Sequence, residues 1–389
     1  MNYDVVVVGG GPAGLAFARS LAASGLRLAV VEREPRDALA DPPCDGREIA
    51  LTHRSVATLQ RLGAWERLAP GDIAPLRAAR VLNGGSHFAL AFDAQGQGDE
   101  KLGHLVSNQA IRRTLFAAIQ DQAGLDILSG TGVATVQTTR KRAEITLADG
   151  RLLTARLLVA ADSRFSAVRE QLGIEARIDR LGRSMLVCRV SHERDHGGVA
   201  TEWFEHGHTI AMLPLVGHQS SAVLTLPSDA VRRLADLDAD LLGVELTRRY
   251  GARLGAMRVT EGPHVYPLAT SWAEHFAATR AALIGDAAVG MHPVTAHGFN
   301  LGLQGQATLA RLIAEAAARG GNIAAPLLLR RYEAAHRMAA RPLFTATNLL
   351  VALYTDERPA ARVARHAVLR LGAQLPQVRH GVSRLLMQH

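Results

Sequence analysis

Residues 5–32 constrain this chain more than any other stretch. Four valines, Val5 to Val8, run into Gly9-x-Gly11-x-x-Gly14; a helical pattern follows, and a second apolar run, Leu28 to Val31, ends in Glu32. The order predicts strand, tight turn, helix, strand, acid, and each part has a job in holding a dinucleotide. Gly9 lets the chain leave the strand sharply, Gly11 lets backbone N–H groups approach a pyrophosphate, and Gly14 lets the helix pack close to the sheet. Pro12 and Ala13 open that helix, whose N-terminus offers unpaired N–H groups and a positive dipole end. Glu32, with Arg33 beside it, follows at near the spacing of about 20 expected for an acid that binds ribose hydroxyls. The acid disfavours a 2′-phosphate, which leaves FAD or NAD.

The chain has 389 residues, enough for two or three connected domains. Its net charge of +8 comes almost wholly from arginine, since only Lys101 and Lys141 are lysines. No basic cluster with interleaved aromatics accompanies that charge, so a nucleic-acid partner is not expected. Cys44 and Cys188 have no metal or redox spacing, and a reduced, cytoplasmic compartment fits. The chain enters a strand at once, leaving no room for a signal peptide, and no apolar run approaches the roughly 18 residues of a spanning helix.

Farther along, Ala38–Arg47 reads as a turn-rich loop, Arg54–Leu68 as helix, 76–96 as extended, and Asn108–Ala123 as an amphipathic helix. From Gly132 the pattern is β, with a hairpin at Asp149-Gly150 and an apolar strand, Leu157–Ala161, that ends in Asp162. Residues 182–227 alternate as several strands, 228–250 read as helix, and 258–267 as strand. Ala281–Gly285 is a short buried strand that runs into Asp286; the remainder is largely helical. Ligands bind beyond the carboxyl ends of parallel strands, so Asp162 and Asp286 are expected beside the same cofactor as Gly9.

Two downstream segments carry a resemblance. Ala160-Ala161-Asp162-Ser163-Arg164-Phe165-Ser166-Ala167-Val168-Arg169 resembles the G-A-D-G-x-x-S-x-x-R segment of the FAD-dependent aromatic hydroxylases, the class A flavin monooxygenases. Gly285-Asp286-Ala287-Ala288, with Pro293, Gly298, Asn300 and Gly302, resembles that family's G-D-A-A-H-x-x-x-P-x-x-G-x-G-x-N motif. The wording from His292 to Leu303 is most similar to the ubiquinone-biosynthesis hydroxylases, and Thr295-Ala296-His297-Gly298 to the branch acting on demethoxyubiquinol. Four departures stand out: Ser163 where glycine is usual, Val289 where histidine is usual, Ala296-His297 where Gly-Gln is usual, and Gly305 about where an aspartate often sits.

The resemblance implies an α/β fold like that of para-hydroxybenzoate hydroxylase. A Rossmann-like FAD-binding domain (1–75, 97–180 and 266–345) would carry an inserted β-rich substrate domain (76–96 and 181–265) and a basic helical tail (346–389). It implies FAD as cofactor, NAD(P)H as a transient reductant, and O₂ as co-substrate. It also implies hydroxylation of a polyprenylated phenol or quinol through a flavin C4a-hydroperoxide. One glycine-rich turn suffices, because the reductant only visits.

By the same resemblance Asp286 binds the ribityl chain and Asp162 sits near the pyrophosphate; a helix cap is the plain alternative for Asp286. Arg47 begins R-E-I-A-L, where the family's arginine reaches FAD; the alternative is a solvated surface arginine. Asn108 and Arg112 lie on the helix that passes the adenosine and phosphates, or serve as cap and surface charge. Arg164 meets the reductant's phosphates or makes a structural ion pair. Gly298, Phe299 and Asn300 open the last long helix beside the flavin. Pro293 and His297 are the catalytic candidates, His297 as a base or as a loop-holding imidazole. The histidine pairs 192/196 and 206/208 lack carboxylate or cysteine partners, so no metal is expected.

From Arg358 to His389 there are six arginines and no acid, with Leu, Val and Ala interleaved. A basic amphipathic helix suits the surface of the inner membrane, where a polyprenyl quinone resides, and a quinone-synthesis complex. A soluble aromatic or polyketide hydroxylase is the second enzyme reading. A non-catalytic flavin-fold scaffold is the reading from another class. A halogenase is disfavoured, because W-x-W-x-I-P is missing.

Overall fold

A computed structural model describes residues 1–84, 89–93, 101–205 and 208–355. The basic segment from Arg358 onward, and His206, lie outside the described residues.

The valine run forms strand Asn2–Val8 at the middle of a parallel sheet. It pairs with Leu28–Glu32 on one side and Leu152–Ala160 on the other, with Val8 opposite both Val31 and Ala160. Leu125–Ser129 continues the sheet beyond Leu28–Glu32, and Ala281–Leu283 beyond Leu152–Ala160. Val5, Val6, Val7, Leu157, Leu158 and Val159 are wholly buried. Continuous apolar runs of this kind belong to parallel strands covered on both faces. An antiparallel hairpin, Val133–Thr138 with Ala143–Leu147, joins the same sheet through the first half of Leu152–Ala160.

The second sheet is built on two strands of 17 residues, Ala176–His192 and Met257–Ala273, which pair antiparallel along their length. The sequence pattern shows only their middles, 182 onward and 258–267. Their outer ends, Ala176 opposite Ala273, reach the core of the first sheet, where Ala273 is wholly buried. Gln219–Pro227, His208–Pro214, Val199–Glu205, Ala78–Asn83 and Ala89–Asp93 follow in that order across the sheet. Period-2 alternation splits its faces. Leu186, Cys188, Val190, Leu224 and Trp203 pack under two helices, Ser228–Ala235 and Ala239–Arg249. The opposite face looks toward the strand ends of the first sheet.

Those two helices replace the single one expected over 228–250. The chain breaks at residues 236–238, where the Asp238 side chain accepts from Leu241 N–H at 2.8 Å and caps the second helix. The expected loop at 38–47 likewise begins with a helical turn, Arg36–Ala40. The helix expected over 54–68 runs only from His53 to Arg61, ended by Gly63 at φ +67. A three-stranded sheet, Glu48–Leu51, Gly103–Ser107 and Ile73–Leu76, lies between the larger ones in sequence.

Two long helices finish the described chain, Gly298–Ala318 and Pro326–Thr355. Gly305 of the first takes the imidazole of His336 from the second, and a Cβ there would lie 2.5 Å from His336 Cε1. His336 also stacks on Tyr332 and tilts against Phe276. The small residue about where the family often has an aspartate is thus a socket for a ring. Gly305→Asp is expected to destabilise by roughly 2 kcal/mol or more, through overpacking and a buried carboxylate. His336→Ala should recover part of that loss; urea unfolding of the two single variants and the double variant measures the coupling.

Candidate active site

Three strand ends meet. Val8, Ala160 and Leu283 are in register, so Gly9, Ala161 and Ile284 leave the sheet together: Gly9 N–H donates to Val31 C=O at 2.9 Å, Ala161 N–H to Val8 C=O at 2.8 Å, and Ile284 N–H to Ala160 C=O at 2.9 Å. Gly9 has φ +113, and a Cβ on it would sit 2.4 Å from Ala161 O. On Gly14 a Cβ would sit 2.0 Å from Gly9 O. No atom lies within 4 Å of a Cβ added to Gly11, which faces open space at the start of helix Pro12–Ser20. The turn is sealed where it meets the sheet and open where a ligand would approach. Gly11, Pro12, Ala13 and Arg33 line a cavity of about 890 Å³, within the range of small-molecule and cofactor sites.

Glu32 does more than end a strand. Its Oε2 accepts from Gly10 N–H at 2.5 Å and its Oε1 from Glu34 N–H at 3.0 Å, so the carboxylate fastens the glycine turn to the second strand. It is not itself part of the cavity wall.

Asp286 and Asp162 both line the cavity. The guanidinium of Arg164 donates to Asp286 Oδ2 at 2.9 and 3.2 Å and to Ala269 C=O at 2.7 Å. Of the two readings of Arg164, the structure therefore contains the ion pair. One oxygen of Asp286 is left for another partner. Asp162 Oδ2 accepts from Val168 N–H at 3.4 Å, while its buried Oδ1 has no partner. Arg169, which closes the 160–169 motif and to which the motif alone assigned no role, is fully buried and donates to the carbonyls of Arg164 and Ala287 at 3.1 and 3.2 Å. It staples the 160–169 segment to the 285–288 segment.

The loop after Asp41 is held by Asp45. Its Oδ2 accepts from Arg47 at 2.6 Å and from Asn108 Nδ2 at 2.7 Å, and its carbonyl accepts from Tyr266 O–H at 2.6 Å. Burial pushes the Asp45 carboxyl up, but the charge and hydrogen bonds of Arg47 outweigh it and hold the group below the usual carboxylate range. Arg47 and Asn108 line the cavity; Arg47 lies over the Tyr266 ring and is not a free surface charge. Ser107, not Asn108, caps the helix that follows. Arg112 is absent from the cavity wall, so the structure lends its expected phosphate contact no geometric support.

Pro293, Ala296, Gly298 and Phe299 form the wall near the last long helices. Ala296 has φ +52, a left-handed conformation that L side chains rarely adopt. His297 is buried and does not line the cavity, which differs from its expected place as a base beside the flavin. The histidines that do line it are His208, on the second sheet, and His292. Nδ1 of His292 accepts from Val294 N–H at 3.1 Å, which puts the proton of the neutral ring on Nε2. Asn300 is also set back from the wall. It donates to the carbonyls of Ala50 and Ala296 and accepts from Thr52 N–H, fixing the loop to the strand Glu48–Leu51.

The far side of the cavity is the second sheet. Met185, Val187, Leu213, Val223 and Phe204 make it largely apolar, with Glu202, Arg183, His208, Thr209 and Thr225 as its polar members. Desolvation pushes the Glu202 carboxyl up to about 8. Nearby, Cys44, Glu261 and His264 bring possible ligand atoms within 4.8 Å of one another. Arg189 stands 3.3 Å from Glu261 and 2.7 Å from Glu48, so a guanidinium already neutralises the acid of that trio.

The cavity fits a flavin dinucleotide on this chain's own terms. It offers an uncapped helix start beside a glycine with open space, an orphaned buried carboxylate oxygen at Asp162, and a half-exposed Asp286 at the next strand end. Comparison with known proteins agrees. A family model described as FAD binding domain matches residues 2–347. The ubiquinone hydroxylase UbiM of Neisseria meningitidis is 44% identical, over 99% of this chain and 85% of that protein. The ubiquinone hydroxylase UbiL of Rhodospirillum rubrum is 35% identical, over 99% and 89%. In fold, the chain superposes on PqsL of Pseudomonas aeruginosa, described as a probable FAD-dependent monooxygenase, with a TM-score of 0.75 at 22% identity, covering 94% of this chain and 99% of that one.

Burial, aided at His104 by Lys101 and at His292 by Arg164, pulls the imidazoles of His104, His292 and His336 down to about 4. The unfolded chain takes up these protons near pH 6.5, whereas the fold resists them to about 4, so stability is lost as pH falls through that window. Glu202 opposes them, keeping in the fold a proton the unfolded chain releases. Net loss should approach roughly two protons, on the order of 1.4 kcal/mol per pH unit for each. Urea unfolding between pH 7 and pH 4 measures the slope, and His336→Leu should lower it by about one proton.

Proposed function

The chain belongs to this family of FAD-binding domains, and from that premise we propose that it hydroxylates the aromatic ring of a polyprenylated phenol or quinol in ubiquinone biosynthesis. The observation that carries the reading is the 44% identity to a ubiquinone hydroxylase over nearly the whole chain. The apolar sheet face that closes the cavity supports it, since a prenylated ring needs such a wall. Bound FAD, reduced by NAD(P)H, supplies the activation of O₂ and the oxygen transfer.

The protein's own part is to hold, orient and keep dry. In this reading residues 1–75, 97–180 and 266–345 hold the flavin, and 76–96 with 181–265 cover the substrate. Gly9, Gly11, Pro12, Ala13 and Gly14 cradle the pyrophosphate with the helix N-terminus, and Glu32 and Arg33 flank the adenosine end. Asp286 takes the ribityl hydroxyls with the carboxylate oxygen that Arg164 leaves, and Asp162 serves the pyrophosphate region. Arg47 and Asn108 close over the cofactor from the loop pinned by Asp45. Helix Gly298–Ala318 points its uncapped N-terminus into the cavity, where N–H groups favour negative charge on the flavin. Pro293 shapes the wall above the ring, and His297 braces the loop behind it.

Purified protein is expected to be yellow, with Asp286→Ala losing most bound FAD and His297→Gln retaining it; flavin absorbance after gel filtration measures both. In a deletion strain, a polyprenyl intermediate lacking one ring hydroxyl or methoxyl should accumulate. Unchanged quinones would instead favour a soluble aromatic hydroxylase.

No helix among the described residues is long and apolar enough to cross a membrane. We propose that the arginine-rich stretch after Arg358 docks on an anionic membrane surface, bringing the cavity to a lipid-dissolved substrate. The full chain should float with vesicles containing anionic lipid, and a chain cut after Asp356 should not. Equal flotation of both removes the idea.

A further inference from the structure

Glu202 stands in the second sheet on the face that looks into the cavity, as the acid among Phe204, Ala211, Leu213 and Val223, with Thr209 and Thr225 farther along the same face. Its strand, Val199–Glu205, alternates: Trp203 goes into the core under the two helices, and Glu202 and Phe204 go to the cavity. Its cross-strand partner is Ala211, and Leu213 and Val223 lie on the same face. Among the described residues, no hydrogen bond, ion pair or neighbouring charge reaches its carboxyl; burial alone acts on it. Three other inward carboxylates have charged partners. Glu48 has Arg189, Asp45 has Arg47 and Asn108, and Asp286 has Arg164.

A half-buried carboxyl facing a cavity without a protein partner is desolvated at a cost, and none of the described residues repays it. It stops being a defect once a ligand brings the missing hydrogen bond into the cavity. Building on the function proposed above, we propose that Glu202 contacts the substrate, hydrogen-bonding a ring hydroxyl and so selecting a phenol or quinol over an ether or hydrocarbon of the same shape. The surrounding Leu213, Val223 and Phe204 hold the apolar remainder of the molecule, and the carboxyl fixes which way the ring is turned. In the neutral state that burial favours, the carboxyl both accepts from a phenol and donates to a ring carbonyl, so one residue serves quinol and quinone forms.

The test uses the FAD-loaded full chain and two probes, 2-geranylphenol and its O-methyl ether. Binding is read from the change in flavin absorbance on titration and turnover from oxygen-dependent product formation. The wild type is expected to bind the phenol at least about tenfold more tightly than the ether, since a site built to hydrogen-bond a hydroxyl rejects the analogue that lacks it. Glu202→Leu should bind both probes alike, by losing phenol affinity and keeping ether affinity. Glu202→Gln, of the same shape and still able to hydrogen-bond, should retain part of the preference. Retained discrimination in Glu202→Leu overturns this inference while leaving the hydroxylase reading intact. If Glu202→Leu fails to hold FAD, Glu202→Gln decides, and a preference there equal to the wild type's overturns the inference. A wild type that neither binds nor hydroxylates the phenol overturns the proposed function and this assignment with it.

Discussion

The parallel pairing of Asn2–Val8 with Leu152–Ala160 is the constraint on which the rest of the site depends. Residues about 150 apart in sequence are locked in register by it, and Ala281–Leu283 then adds to the same edge. Parallel strands end together, so the turn at Gly9, the segment from Asp162 and the segment from Asp286 emerge side by side. A slip of one residue would turn Val5 and Val7 to the other face of the sheet and part Gly9 from Ala161. The glycines are needed because of this register: a Cβ on Gly9 would lie 2.4 Å from the Ala161 carbonyl oxygen, and Gly14 must bring a helix down onto the Gly9 carbonyl. The two 17-residue strands then carry the second sheet out from the first core and over the cavity.

Arginine is the residue that holds this geometry. By composition alone the excess of arginine over lysine carries no structural message. In the fold, several guanidiniums work as rigid forks between distant segments: Arg164 joins Asp286 to Ala269, Arg169 joins Arg164 to Ala287, and Arg189 joins Glu48 to Glu261. Lysine would meet only part of each pattern, because its single ammonium lacks the planar spread of donors. Arg169 is the extreme case. It is buried without an ion-pair carboxylate among the described residues, and burial pulls its pKa down. Its two carbonyl contacts fix the floor beneath Asp286.

What could be read from the sequence was local. The strand–turn–helix–strand–acid order, the strand-end aspartates and the helix opening at Gly298 all show within windows of a few tens of residues, because backbone sterics and periodicity act over that range. The pairing of Arg164 with Asp286 could not be read, since the two are 122 positions apart and either motif alone leaves the arginine free for a ligand. That Arg112, on a helix, and His297, in the turn before one, lie off the cavity wall could not be read for a related reason. Local pattern says which residues share a helix face or a turn, but not whether that face or turn is directed to the cavity or to a neighbouring element. Glu202 gave a weak signal, an acid in the run Thr201-Glu202-Trp203-Phe204, which alternation alone would have placed on a solvated face. Only the sheet order, with that face closed over the cavity, shows it to be inside.

The departures from the family pattern have different physical standing. Ser163, where glycine is usual, turns its hydroxyl to the N–H of Phe165 at 3.2 Å and so stabilises its own turn. Val289 is buried in a short strand opposite Trp272, where an apolar residue suits the core better than a histidine. Gly305 is matched by the His336 ring that fills it. Ala296 has no such match. It keeps a left-handed backbone with a Cβ attached, a strain on the order of 1 kcal/mol, on the exposed side of the cavity wall where glycine would be free of it. The carbonyl of Ala296 is held by Asn300, and the next residue, His297, is buried behind it. Strain of this kind persists where the surroundings over-determine a loop, and it tends to gather at functional sites. A methyl group at this position narrows the cavity beside Pro293 and stiffens the loop. The substitution therefore acts on the shape offered to the substrate and leaves the Asp286 side of the cavity unchanged.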